Sequence, residues 1–199
     1  MYKTEKKLIL ASASPRRKSM LENLGIRFSI CSAEIDEEPR PGEMPENLVV
    51  RLATEKVQSV AQRYPESWVL GADTIVCIND EILGKPTDQD EAVEMLMRLS
   101  GTTHDVFTGY SLLHRVYAIE RSGYRRSGVS FGAFDLATAQ AYVATGEPLD
   151  KAGAYGIQGL GSGLVREITG SYTSIVGIPL DSVISLLTEY GVISSVIAG

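Results

Sequence analysis

The chain has 199 residues, 44% of them hydrophobic, enough to bury a sizeable core in one domain or two closely associated lobes. Its formal charge of -6 argues against a general nucleic-acid or membrane surface, so any basic site must be local and aimed at a small anion. Two separated cysteines (Cys31, Cys77) imply no disulfide framework, and two histidines (His104, His114) are too few for a zinc centre of the usual composition, so any metal must be held by oxygen.

Residues 7–11 read as a buried strand, and 15–24 as a helix with Pro15 in its first turn and Gly25 as its stop. The apolar run Leu8–Ala11 is too short for a signal-peptide core, and no run reaches membrane-spanning length, so a soluble, cytoplasmic protein is expected. Ile26–Cys31 reads as a second strand, and Ala33–Pro45, with Glu34, Asp36, Glu37 and Glu38, as an acidic loop. A helix is expected over Glu46–Arg63, then strands at Trp68–Gly71 and Thr74–Ile78 flanking Ala72-Asp73, a turn at Asn79-Asp80 and a short piece at Glu81–Leu83.

Asp88 and Glu91 form a capping-box-like start for a helix that runs to Leu99 and stops at Gly101. From His104 to about Phe134 the pattern changes to antiparallel strand pieces, and Asp135–Ala144 is again helical. A glycine-heavy stretch, Gly146–Gly163, precedes strand-like Leu164–Ile168, a turn at Gly170–Tyr172, strand-like Ile175 and Val176, and a last helix opened by Pro179. With no repeat or flexible linker, the whole chain, 1–199, is expected to be one mixed α/β domain.

Four places could carry chemistry. The first is Ala11–Arg17, where small residues end a strand and a helix begins at Pro15. Ser12 and Ser14 let a ligand approach the backbone, the helix start offers free N–H groups, and Arg16 and Arg17 add planar cationic forks suited to phosphate. The second is Gly71-Ala72-Asp73-Thr74, an acid within an apolar strand pattern, which needs a cation or a partner. Asp73 with Glu37 suits magnesium or manganese with phosphate oxygens completing the shell, and Asp73 equally suits the base that activates water.

Third are Lys56 and Gly84-Lys85-Pro86. Each lysine alone reads as a solvated charge, and Gly84-Lys85 lacks the context of a phosphate-binding Walker loop; convergence with Arg16 and Asp73 gives them meaning. The fourth is Asp150–Gly159, whose glycines permit close approach and whose Gln158 amide could read the edge of a base.

Together, in this order, Ser12-x-Ser14-Pro15-Arg16-Arg17, Gly71–Thr74, Gly84-Lys85-Pro86, Asp150–Gly159, Gly170-Ser171-Tyr172 and Val176–Leu180 make the chain resemble the Maf family of nucleoside triphosphate pyrophosphatases over nearly its full length. The resemblance implies a Maf/Ham1 (ITPase-like) α/β fold, an elongated mixed sheet with flanking helices, two lobes and a central cleft. It implies hydrolysis between the α and β phosphates with a divalent metal, and a homodimer. Asp73 matches the family's proton acceptor, while Arg16, Thr74 and Gln158 match positions tied to substrate choice, in the manner of the dTTP and UTP branch. Residues 108–134 depart from the family's usual pattern. Two other readings are a nucleotide-binding regulator of septum formation without turnover and a related pyrophosphatase with 7-methyl-GTP preference.

Overall fold

In the computed structural model, which describes residues 1–196, the first apolar run forms β2 (Leu8–Leu10), preceded by a short β1 (Tyr2–Thr4). Helix α1 (Pro15–Asn23) starts with proline in its first turn and with Ser14 as its cap. It ends as the glycine predicts: Gly25, at φ +81°, donates to Glu22 O at 2.8 Å, and Ile26 donates to Leu21 O at 3.2 Å. This is a Schellman closure, and the buried Leu21 and Ile26 belong to one apolar cluster. The closure also shortens the strand expected at Ile26–Cys31 to β3 (Ser29–Ile30), because the Ile26 N–H is spent on the helix end.

After the acidic loop come α2 (Pro45–Arg63), β4 (Trp68–Ile78), β5 (Glu81–Leu83) and α3 (Gln89–Leu99). The expected break at Ala72-Asp73 is absent: β4 runs unbroken for 11 residues. An ion pair at Asp73 gives its carboxylate a partner, so the acid does not disrupt the strand. At α3, Asp88 Oδ1 accepts the Glu91 N–H at 2.8 Å, while the Glu91 carboxylate reaches back one residue further than a standard capping box, to Thr87 N–H (2.7 Å) and hydroxyl (2.6 Å).

Long strands β6 (Thr103–His114) and β7 (Ile119–Phe131) supply the antiparallel section, followed by α4 (Leu136–Ala144), three 3-10 turns between Glu147 and Leu164, and β8 (Val165–Thr169). Ile175 and Val176, expected as strand, lie instead in α5 (Tyr172–Val176), where the Ser171 hydroxyl accepts the Ser174 N–H at 3.2 Å and starts a helical turn. Helix α6 (Leu180–Glu189) follows Pro179, and β9 (Ile193–Ser195) pairs antiparallel with β1.

The strands order as β3-β2-β4-β6-β7-β8, with β5 on the end of β4. β2 runs parallel to β3 and β4, whereas β4 with β5 and β7 with β8 are antiparallel, so the sheet is mixed. Among the described residues the chain divides into two compact units, one of 1–73, 108–124 and 177–196, the other of Thr74–Phe107 and Arg125–Val176. In the first unit Leu8 and Leu10 join Trp68, Leu70 and Leu112 in one apolar cluster, while the alternate residues Ile9 and Ala11 join Val57, Val60 and Val69 in another. Burial on both faces explains why β2 reads as a continuous apolar run. The second unit has its own core around Leu96, Leu99, Val129, Phe131 and Tyr155.

Helix α2 lies unusually near its sheet. A Cβ on Gly71 would stand 2.7 Å from Val57 Cγ1, and one on Gly109 only 2.1 Å from Val49 O. These glycines therefore set how deeply the helix sits, and Thr108-Gly109-Tyr110, an atypical stretch of the sequence, acquires a packing reason. Gly109→Ala should lower stability by about 1–3 kcal/mol through overpacking against backbone that cannot rotate away. A denaturant melt with an unchanged midpoint would contradict that close approach.

Candidate active site

The helix start predicted at Ser14 is held together by side chains as well as backbone. Ser12 Oγ accepts the Ser14 N–H at 3.2 Å and Arg17 Nη1 at 3.1 Å, Ser14 Oγ accepts the Arg17 N–H at 3.5 Å, and Arg17 Nε donates to Gly177 O at 2.9 Å. Arg17 is thus tied to the frame of the first unit on two sides. Burial lowers its guanidinium from the ordinary value, the charge of Arg16 lowers it further, and the charges of Asp73 and Glu37 oppose both. Those couplings place Arg16, Arg17, Glu37 and Asp73 in one electrostatic neighbourhood.

Its centre is Lys56. On α2 the buried stripe Leu48, Val49, Leu52, Ala53, Val57, Val60 and Ala61 contains this one lysine, 8% exposed. Gly71 and Asp73 lie two apart on β4 and so on one face. The missing side chain at 71 lets α2 approach closely enough for Lys56 to reach Asp73. Lys56 Nζ donates to Asp73 Oδ1 at 2.5 Å and meets Glu37 Oε1 at 2.6 Å. Asp73 is itself 8% exposed, whereas the Glu37 side chain is half-exposed. Two carboxylates from distant parts of the chain therefore converge on a single cation.

Glu37 sits in a loop that is anchored by Arg51, a residue that no sequence motif marks out. Arg51 grips both oxygens of Glu43 at 2.7 and 2.8 Å, contacts Glu55 at 3.2 Å and donates to Glu38 O at 3.0 Å. The last bond fixes the backbone beside Glu37. Within the acidic stretch 34–38, Glu37 is the residue whose carboxylate meets Lys56, while Asp36 Oδ1 instead turns on the Glu38 N–H at 3.0 Å. The i,i+4 spacing of Arg51 and Glu55 was visible in the sequence, but nothing local linked Arg51 to the loop.

The structure brings Ser12, Ser14, Arg16, Arg17, Glu37, Lys56 and Asp73 together within the first unit. Thr74, Lys85 and Gln158 belong to the second unit. There Thr74 is half-buried on β4, and Lys85 and Gln158 are exposed. The Gly153 N–H donates to Gly84 O at 3.0 Å, joining the Lys85 segment to the glycine-rich stretch. Gly153 adopts φ +68° and a Cβ there would press on Val76 at 3.0 Å, so its conformation and its space both require glycine.

A hard cation fits the donors at Lys56. Glu37 and Asp73 supply oxygens, and an ammonium already occupies the point on which they converge. Among the described residues no group of three or more His, Cys, Asp or Glu could hold a metal by itself, so further oxygens would have to come from a ligand. No helix among the described residues is long and apolar enough to cross a membrane.

A family model described as Maf-like protein matches residues 7–190. A dTTP/UTP pyrophosphatase of Desulfotalea psychrophila is 50% identical over 194 residues, covering 98% of this chain and all (100%) of that protein. A dTTP/UTP pyrophosphatase of Clostridioides difficile is 49% identical over 183 residues, 92% of this chain and 94% of that one. Among solved structures, a HAM1 protein from Coxiella burnetii is 14% identical and covers 93% of this chain and 100% of its own, with a TM-score of 0.57, which shows a common fold.

The loop anchor gives a pH signature. Hydrogen bonds from Arg51, opposed by burial, pull Glu43 down to about 2 from the ordinary 4.5. A depressed folded value means that the anchor's stabilisation is complete above pH 4.5 and is lost as pH falls toward 2. The stability difference between the wild type and Glu43→Gln should therefore be largest above pH 4.5 and shrink steadily below it. A difference independent of pH across that window, in urea melts, would refute the assignment.

Proposed function

The chain belongs to the Maf family, and from that membership we propose that it hydrolyses nucleoside triphosphates, dTTP and UTP foremost, to the monophosphate and pyrophosphate. The observation that carries the reading at the level of the site is the Glu37–Lys56–Asp73 contact in the unit that also holds Ser12 to Arg17. Three cations (Arg16, Arg17, Lys56) against two carboxylates suit a polyanion, and the paired acids suit a cation that travels with it.

In the proposed reaction a water oxygen attacks the α-phosphorus, the bond to the bridging oxygen breaks, and pyrophosphate leaves with the electron pair. Asp73 takes the water's proton. Its Oδ1 is engaged by Lys56, and among the described residues Oδ2 has no protein hydrogen bond, which leaves that oxygen for the water. The ammonium of Lys56 holds Asp73 in place before substrate arrives and offers charge to phosphate oxygens once it has. Arg16, with the α1 N-terminus capped by Ser14, contributes further positive potential toward the phosphates. Arg17 orients Ser12 and the helix start through its bonds to Ser12 Oγ and Gly177 O.

Glu37 and Asp73 are the residues that would hold magnesium or manganese, which when bound would neutralise charge on the phosphate oxygens. Thr74, Lys85 and Gln158 complete the proposed substrate set, with Gln158 reading the base and Lys85 the phosphates. The reading also takes 1–199 as one Maf-like domain that works as a homodimer in the cytoplasm.

Asp73→Asn keeps an oxygen for Lys56 but removes the base. Pyrophosphate release from dTTP should fall about 10²–10⁴-fold with the circular dichroism spectrum unchanged. Wild-type turnover by this variant would remove Asp73 from its role, and release of single phosphates in place of pyrophosphate would place the cleavage at another bond.

A further inference from the structure

Gln158 lies on a loop that is closed by a carboxylate outside it. The Gly156 N–H donates to the Tyr142 hydroxyl at 3.0 Å, and that hydroxyl donates to Glu147 Oε1 at 2.9 Å. The same oxygen accepts the Gly161 N–H at 3.1 Å, and Glu147 Oε2 accepts the Leu160 N–H at 3.0 Å. Residues on both sides of Gln158, at 156 and at 160–161, thus end on one acid. The loop is drawn so tight that a Cβ on Gly161 would stand 2.3 Å from Gly156 O, and one on Gly159, at φ +75°, would stand 2.7 Å from Glu147 Oε2.

Glu147 is half-buried, and Lys151 adds a bond from its ammonium to the Glu147 carbonyl. Burial raises the Glu147 carboxyl, but the Leu160 and Gly161 N–H groups, the Tyr142 hydroxyl and the Lys151 charge outweigh it and hold the acid below its ordinary value. It therefore stays an ionised acceptor, the form that three donors require. Between these fixed ends the Gln158 side chain is exposed, and its amide makes no hydrogen bond among the described residues. A loop that is clamped on both sides while its one amide is left open is suited to presenting that amide, since recognition by a few polar groups depends on their being held in place.

We propose that Glu147, working through Tyr142 and the loop backbone, is a positioning residue that presents Gln158 to the base of the nucleotide and so sets the preference for pyrimidines. The inference rests on the reading that Gln158 recognises the base. Glu147→Gln keeps the shape but turns an amide N–H₂ toward backbone N–H groups, so one donor loses its acceptor.

The test compares kcat/KM for dTTP and dATP, measured by pyrophosphate release, in the wild type, Gln158→Ala, Glu147→Gln and Tyr142→Phe. Loss of a charge-assisted bond should lower the dTTP/dATP ratio about tenfold in Glu147→Gln, mainly through the KM for dTTP. Tyr142→Phe should lower it in the same direction, and hydrogen exchange of the amides at 160 and 161 should quicken in Glu147→Gln. A merely structural role would lower both substrates equally and leave the ratio untouched. If Gln158→Ala collapses the ratio while Glu147→Gln and Tyr142→Phe do not, the positioning role is overturned and base reading by Gln158 stands. If the wild type shows no preference, or Gln158→Ala keeps it, base reading fails and the positioning role falls with it. Should Glu147→Gln not fold, Tyr142→Phe decides alone by the same ratio.

Discussion

A lysine buried in the apolar stripe of a helix is tolerable only with a partner, and two glycines and an anchored loop of the first unit serve that one pairing. Taking an ammonium and a carboxylate out of water costs several kcal/mol for each ion, and their attraction offsets this only at short range with good geometry. Lys56 and Asp73 meet at 2.5 Å because α2 is drawn onto the sheet where Gly71 and Gly109 leave room. Larger residues at either glycine would lift the helix and leave both charges poorly matched. The glycines therefore serve electrostatics through packing.

The same logic extends outward. A single buried pair gains from a third charge, and Glu37 supplies it from a loop without regular structure. Left alone, such a loop would sample many conformations and hold its acid nowhere in particular. Arg51 restricts it by binding Glu43, Glu55 and the Glu38 carbonyl from a position five residues before Lys56 on the same helix. One helix thus carries both the ammonium and the anchor of the loop that meets it. In the second unit Glu147 acts on a loop in a comparable way, with a carboxylate collecting backbone N–H groups where Arg51 collects oxygens.

Much of this was legible in the residues. Pro15 and Gly25 bracket α1 because one lacks an N–H that the helix start does not need and the other accepts a left-handed backbone. Asp73 stands out because an acid in an apolar strand demands explanation, and Glu37 joins it as a second oxygen for a cation; Lys56, which alone reads as a solvated charge, is instead buried against both. Local pattern misled where a tertiary partner decides. Asp73 reads as a strand break until its lysine is found, and Ile175-Val176 reads as strand until Ser171 starts a turn ahead of them. Arg51, Tyr142 and Glu147 could not be singled out in the sequence, since each looks like an ordinary helical or turn residue. Their meaning lies in backbone groups that are 13 or 14 positions away, such as Glu38 for Arg51 and Gly156 for Tyr142.

The bond from Arg17 to the Gly177 carbonyl spans 160 positions of the chain, and the first unit is assembled from three separate stretches. During synthesis, Ser12, Arg17, Lys56 and Asp73 all leave the ribosome long before Gly177 exists. The second unit, made of Thr74–Phe107 and Arg125–Val176, has all its residues before that carbonyl is added. Closing so large a loop carries an entropic cost that only late contacts can offset. The helix start that the sequence displays first is therefore among the last parts of the molecule to receive its full set of hydrogen bonds.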